Sequence, residues 1–312
     1  VKYESVVAFK YEVADEVRAQ DTSPEAISFY AATEHPMPAD MALGVAKKGD
    51  EHVLAIRSSD PVAAAAMAAR VNGEADVKII TIERRSDSFY SGKHRPLECG
   101  LQIGMANKNF VGTLGALVYE ADGHLAVISN SHVLADMGTA NPGHPFGQPA
   151  GFASQDRIGV LSTFLPYSYT APNIGDVALG RLDKTEAMVG YNGAIVDQMK
   201  GSRFLTPDDL GREVFKVGRT TGPRVGRISV VEMDGVQVQM VGGITRWNDQ
   251  LEIYGPGQDF SAAGDSGSII VTRDGWAIGL LFAGGRDSGG EDRTYANPLH
   301  RVLGLLGAKL AV

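Results

Sequence analysis

The stretch AGDSGSIIVTR, residues 263–273, sets a serine between two glycines at the mouth of an apolar strand. A serine hydroxyl is a poor nucleophile at neutral pH. It needs a base to take its proton and donors to hold the oxyanion that forms. Gly264 can adopt a positive φ, which aims its N–H at the same point as the N–H of Ser266. Gly264 and Ser266 are therefore the candidate oxyanion-hole donors. The same five residues also make an ordinary tight turn between strands, so the surrounding chain has to decide between the two readings.

Around this stretch the chain from about Gly100 onward is a series of short apolar runs, among them GTLGALVYE (112–120), HLAVISN (124–130), DVALGRL (176–182), EVFKVGR (213–219) and WAIGLLFA (276–283). Turn signals such as Ala121-Asp122-Gly123, Asp234-Gly235 and Asp274-Gly275 separate them, the pattern of an antiparallel sandwich or barrel. Asn297-Pro298 opens a final helix over 299–310 with Leu299, Val302, Leu303 and Leu306 on one face. Upstream the pattern differs. MALGVA (41–46), EHVLAIR (51–57) and DVKIITIE (76–83) read as strands, and Asp60-Pro61 caps a helix that Asn72-Gly73 closes. Ser23-Pro24 starts another helix. The expected organisation is a small α/β domain over residues 1–90 with no recognisable chemistry, followed by a mainly β domain over 91–312, with the boundary in 84–96.

A base for Ser266 is available in AVISNSHVLA (126–135), where His132 follows the end of a hydrophobic strand. His35, His52, His94, His124, His144 and His300 lack such an approach strand. The third group should be a buried carboxylate that holds the imidazole in the right tautomer. Asp176 stands immediately before an apolar strand, a costly place for an acid without a partner. Asp183 and Asp197 sit in solvated contexts, and Asp136, four residues after His132, is better suited to capping a turn.

The order His132, Asp176, Ser266, with SNSHVLAD, DVALGRL and AGDSGS and supported by GTLGALV, KVGRTTG and ANPLHRVL, resembles the chymotrypsin/trypsin serine protease superfamily, most closely its disulfide-free bacterial and plant branch. An α/β-hydrolase would place its serine first and require glycine where Ser268 stands. The resemblance covers roughly residues 100–312. It implies a mainly β, two-barrel antiparallel chymotrypsin-like fold with a C-terminal helix, preceded by the small α/β domain. It also implies a serine endopeptidase working through the His132-Asp176-Ser266 triad and an acyl-enzyme. By the same likeness Phe282 to Gly284 pair with the substrate backbone, and Phe260, six residues before Ser266, lies with Ser261 in the specificity pocket. An apolar or small side chain suits that pocket, unless neighbouring Asp259 takes the place of Phe260. Lys216, Arg219 and Thr220 stand near the cleft, with a structural turn as their alternative role.

A net charge of −8 and the absence of any Lys/Arg run argue against nucleic acid and anionic membrane as partners. The expected partner is a protein or peptide substrate; assembly into a homo-oligomer is left open. No cluster has metal-ligand spacing, and neither metal nor cofactor is expected. The one cysteine, Cys99, has no partner for an intrachain disulfide and fits a reducing, cytoplasmic setting and a structural role. The chain begins at Val1 without a methionine, which leaves room for an upstream segment. The competing reading is a protease-fold binding or scaffold protein that recognises peptides without cleaving them.

Overall fold

A computed structural model describes residues 2–20, 41–58, 60–71, 74–81, 91–108, 110–150, 156–183 and 199–312. The helix expected after Ser23, the Asn72-Gly73 turn, His35, Asp197 and residues 84–90 of the expected boundary lie outside them.

The second half of the chain closes a barrel. Strands β12 (Glu213–Gly218), β13 (Gly222–Asp234), β16 (Gln250–Tyr254), β19 (Asp292–Pro298), β18 (Trp276–Asp287) and β17 (Ile269–Thr272) each pair with the next, and β17 returns to β12. Its core takes Val214, Ile228, Ile253, Phe260, Ile270 and Ile278, the inward positions of alternating strands. The first barrel is an open sheet in the order β20-β6-β7-β10-β9-β8-β4-β5, built from β4 (Gln102–Met105), β5 (Val111–Thr113), β6 (Ala116–Tyr119), β7 (Leu125–Ser129), β8 (Pro145–Gly147), β9 (Arg157–Phe164), β10 (Ala178–Leu182) and β20 (Lys309–Leu310). A second cluster, with Ile128 and Leu179 from one sheet and Ile269 and Leu280 from the other, glues the two together. This is the two-barrel architecture expected from the sequence. Cys99 is buried in the same cluster, where burial pushes its thiol up to about 12.

The C-terminal helix α4 (Leu299–Leu305) docks Leu299, Val302 and Leu303 on that interface. It ends earlier than the expected residue 310. Gly307 takes φ +62°, which breaks the helix, and Lys309–Leu310 then pair with β6.

The N-terminal unit is joined to the second barrel by backbone pairing. Strands β1 (Met41–Lys48) and β2 (Glu51–Ser58) form a hairpin, and α2 (Pro61–Ala68) returns the chain to β3 (Ala75–Thr81), parallel to β2. Asp60 caps α2, its Oδ1 accepting from Val62 N at 2.8 Å. β1 then pairs with β13, and β3 pairs with β18. Helix α1 (Tyr3–Gln20) packs outside this sheet, with Lys10 wholly buried and its Nζ 2.9 Å from Asp234 Oδ2.

Candidate active site

His132 owes its position to the end of β7. Asn130 leaves the strand in an extended conformation, and the one-turn helix α3 (Ser131–Leu134) follows. Its neighbours are pinned to the adjoining strand: Ser131 Oγ donates to Val177 O at 2.8 Å, and Asn130 Nδ2 donates to Asp176 O at 2.6 Å. The imidazole is thereby turned towards Asp176. His132 Nδ1 and Asp176 Oδ2 are 2.5 Å apart, and His132 N donates to Oδ1 of the same carboxylate at 3.2 Å.

Asp176 is wholly buried. Its backbone is fixed from a second side by Asn297, whose Oδ1 accepts from Asp176 N at 3.0 Å and whose Nδ2 donates to Leu280 O at 3.1 Å. Asn130 and Asn297 were not singled out as functional residues from the sequence. Their signal was present in SNSH and ANPL, each polar amide standing beside an apolar run. Tyr167 also packs here, and burial, then the nearby Asp176 charge, push its phenol well above the ordinary range. The Asp136 carboxylate is instead held by Lys108 at 2.6 Å, which draws it below the usual carboxylate range.

Ser266 and His132 line one cavity of about 490 Å³ between the barrels, together with Gly264, Ser261, Phe282 and Gly284. The Ser266 hydroxyl donates a long hydrogen bond, 3.4 Å, to Phe282 O. Gly264 has φ +99°, a conformation that residues with a Cβ rarely adopt, and a Cβ there would lie 2.6 Å from Thr220 Oγ1, so the position favours glycine. Among the described residues nothing accepts from the N–H of Gly264 or of Ser266, whereas the flanking Asp265 and Gly267 N–H groups are bonded to Ala262 O and Leu281 O. Two unpaired donors thus flank the serine at the cavity wall.

The turn carrying these donors is held from beneath. Asp265 is wholly buried and accepts from Thr220 N at 2.8 Å, Ala262 N at 3.0 Å and Thr221 Oγ1 at 2.6 Å. Lys216, equally buried, pairs with it at 2.7 Å. Burial alone would raise the Asp265 carboxyl, but Lys216 and these donors overcome it and hold the group below the usual range. Lys216 and Thr220 therefore support the turn from within the barrel and do not line the cavity. Arg219 does line it, with Nε buried and no partner among the described residues.

The pocket wall departs from expectation at Phe260. Its side chain is fully buried in the second barrel's core, with Lys216 Nζ 5.9 Å from the ring centroid, and does not reach the cavity. Residues 255–262 form turns and bends outside any strand, and there Phe260 packs inward while Asp259 and Ser261 line the cavity. The wall is made by Asp259, Ser261 and Asp292. Asp259 is bound at both oxygens by Arg286 Nη2 at 2.6 Å, and Asp292 accepts from Phe260 N at 2.8 Å. Phe260 is thus not a lining residue; Ser261 and the alternative, Asp259, are, in a cavity whose other walls carry apolar side chains such as Val111, Met137 and Leu281.

Phe282 and Gly284 lie on a stretch of sheet edge that has no partner strand among the described residues. β18 pairs with β19 along one side; on the other, β17 ends opposite Leu280 and β3 begins opposite Arg286.

No protein-family model and no curated protein matches the chain. Among solved structures it is similar to the Nocardiopsis protease, with 18% identity, TM-score 0.49 and coverage of 69% of this chain and 98% of that one. It is also similar to Thermobifida fusca protease A, with 18% identity, TM-score 0.47 and coverage of 68% and 97%. An α-lytic protease homologue gives 20% identity, TM-score 0.47 and coverage of 68% and 98%. By its own strand order, one closed six-stranded barrel and one open barrel with a cleft between them, the chain has the chymotrypsin/trypsin-like serine protease fold.

Proposed function

We propose that the protein is a serine endopeptidase that hydrolyses peptide bonds through an acyl-enzyme, with Ser266 as nucleophile, His132 as general base and acid, and Asp176 as the group that orients the imidazole. The observation that carries this reading is the 2.5 Å contact of His132 Nδ1 with the buried Asp176 carboxylate, on the same cavity as Ser266. With Nδ1 bonded to the acid, Nε2 is the free nitrogen that takes the serine proton and returns it to the leaving amine. Rotation of the serine hydroxyl away from Phe282 O brings it into play. The negative oxygen of the tetrahedral intermediate then meets the N–H groups of Gly264 and Ser266, already unpaired and held by the Asp265 network, so no donor has to be freed during reaction. On this reading residues 91–312 carry the chemistry.

Fluorophosphonate labelling of the native protein beside Ser266→Ala tests it. Labelling confined to the native serine is expected. Equal labelling of the two, or none of either, would favour the non-cleaving peptide-binding module, a reading for which the serine's bond to Phe282 O is the specific support.

A further inference from the structure

Arg219 is a charged group of the cleft that the proposed reaction does not use. Its guanidinium lines the same cavity as Ser266, with Nη1 2.5 Å from the point where a Cβ on Gly264 would stand, beside a proposed oxyanion donor. The acid whose charge acts on it is Asp265. That carboxylate is already taken by Lys216 at 2.7 Å and by Thr220 N, Ala262 N and Thr221 Oγ1. Among the described residues Arg219 Nε has no partner, and Nη1 donates one long bond, 3.4 Å, to Thr220 Oγ1. The cavity's other guanidinium, Arg286, is bound to Asp259 at 2.6 Å. Burial draws Arg219 below the ordinary arginine range against the pull of Asp265, and the group stays a cation at neutral pH. A half-buried cation without a counter-charge destabilises the free protein; a ligand carboxylate would supply that charge.

The serine turn is gripped from two sides. Gly267 N donates to Leu281 O of β18 at 2.8 Å, and Thr113 N of β5 donates to Ser266 O at 2.7 Å. Thr113 Oγ1 accepts from Arg219 N at 3.1 Å and donates to Gly264 O at 2.9 Å. Arg219 thus belongs to the β5 side of the serine, where Phe110 and Val111 also line the cavity. A peptide whose scissile carbonyl meets Gly264 N and Ser266 N has one half towards β18 and the other towards this wall. The half bearing the leaving amine must meet His132, which stands in the first barrel as β5 does, so the half at Arg219 is the leaving one. We propose that Arg219 is a carboxylate-recognising specificity residue on the leaving-group side, selecting peptides that present an acidic side chain or a C-terminal carboxylate shortly after the scissile bond. The proposal rests on the reading of Ser266 as nucleophile only for the sense in which the peptide runs. A guanidinium holds a carboxylate through two parallel N–H bonds, an arrangement that a carboxamide of the same size does not reproduce.

The test uses the full-length Ser266→Ala protein and fluorescein-labelled peptides in which one glutamate, or glutamine in its place, moves along a neutral sequence. Each peptide is made with a free and with an amidated C-terminus, and binding is read by fluorescence anisotropy. The carboxylate form is expected to bind about tenfold tighter than its neutral counterpart at one position or two adjacent ones. A glutamate preference in both terminal forms assigns the site to a side chain; a preference for the free terminus alone assigns it to the end of a short leaving peptide. Arg219→Gln in the same background should remove the preference, and Arg219→Lys should keep part of it. No preference for either carboxylate in the parent overturns the proposal without recourse to any variant. A preference that survives Arg219→Gln, or an equal loss of binding for charged and neutral peptides, also overturns it. Mass spectrometry of the products formed by the native protein should place the preferred carboxylate after the cleaved bond; a place before it overturns the leaving-side assignment. Preference with no cleavage by the native protein would keep the carboxylate site and discard the peptidase. Cleavage without preference would do the reverse.

Discussion

Lys216 Nζ lies 2.7 Å from Asp265 Oδ2, and both side chains are wholly buried, Asp265 being one residue before Ser266. The pair does for the serine turn what no feature near Ser266 in sequence could do, holding the backbone of 264–266 from inside the barrel. Removing one member strands the other's charge, at a cost of about 3–5 kcal/mol. Lys216→Met should therefore lower the unfolding free energy, read from urea titration, by that amount and abolish fluorophosphonate labelling even where the protein remains folded. A variant within about 1 kcal/mol of the parent, still labelled at the normal rate, would show the pair to be dispensable.

Acid should unfold the protein through the same group. Asp265 and Asp209 are both held below the usual carboxylate range. Burial opposes this in each, and Lys216 and Arg203 respectively outweigh it. Their folded pKa values are below their unfolded ones, so their stabilisation is complete above the unfolded value, about 3.9, and is lost as pH falls through the folded values. Urea midpoints should be level from pH 6 to 5 and drop steeply below about pH 4. Asp265→Asn should start lower and fall less over the same range; an unchanged slope would remove Asp265 from the explanation.

Asp176→Asn should cut turnover by about 10⁴-fold while leaving the fold intact, because the amide favours the wrong imidazole tautomer. The surrounding bonds from Asn130 and Asn297 go to the backbone of Asp176 and survive the change. Steady-state kinetics with a circular-dichroism melt measures both. A loss of tenfold or less would assign the orienting role to another acid.

Gly264→Ala should separate donor geometry from nucleophile chemistry. φ +99° strains any residue with a Cβ, and that Cβ would lie 2.6 Å from Thr220 Oγ1, itself bonded to Ala263 O, so the backbone is expected to shift and take its N–H with it. Loss of one oxyanion donor costs about 10²–10³ in kcat. KM should change little, and wild-type kcat in this variant would argue against the assigned donor pair.

Removing residues 1–90 should not yield a free-standing peptidase. Glu252 of the second barrel is fully buried, and its carboxylate is bound by Arg57 of β2 at 2.7 Å. Deletion leaves that charge unpaired and uncovers β13 and β18, edges that invite aggregation. The truncated chain is expected to be insoluble or to melt far below the full chain in a thermal-shift assay. Equal melting temperatures would show the two parts to be energetically independent.

Much of this was legible before any coordinates. Ser266, His132 and Asp176 each stand where a strand ends or begins, and alternation, turn residues and the cost of burying an acid are local signals. They identified the mainly β fold and the helix at Leu299, and they singled out the three residues among all the histidines and acids. Tertiary structure alone decided what lies beneath and beside them. Phe260 faces the core and Asp259 the cavity because the bend joining β16 to β17 is folded against the barrel, a placement that no local periodicity encodes. Lys216 pairs with Asp265, 49 positions away, through an ion pair that no periodicity encodes. β3 reaches the edge of β18 because sheet pairing joins segments by geometry and not by order in the chain.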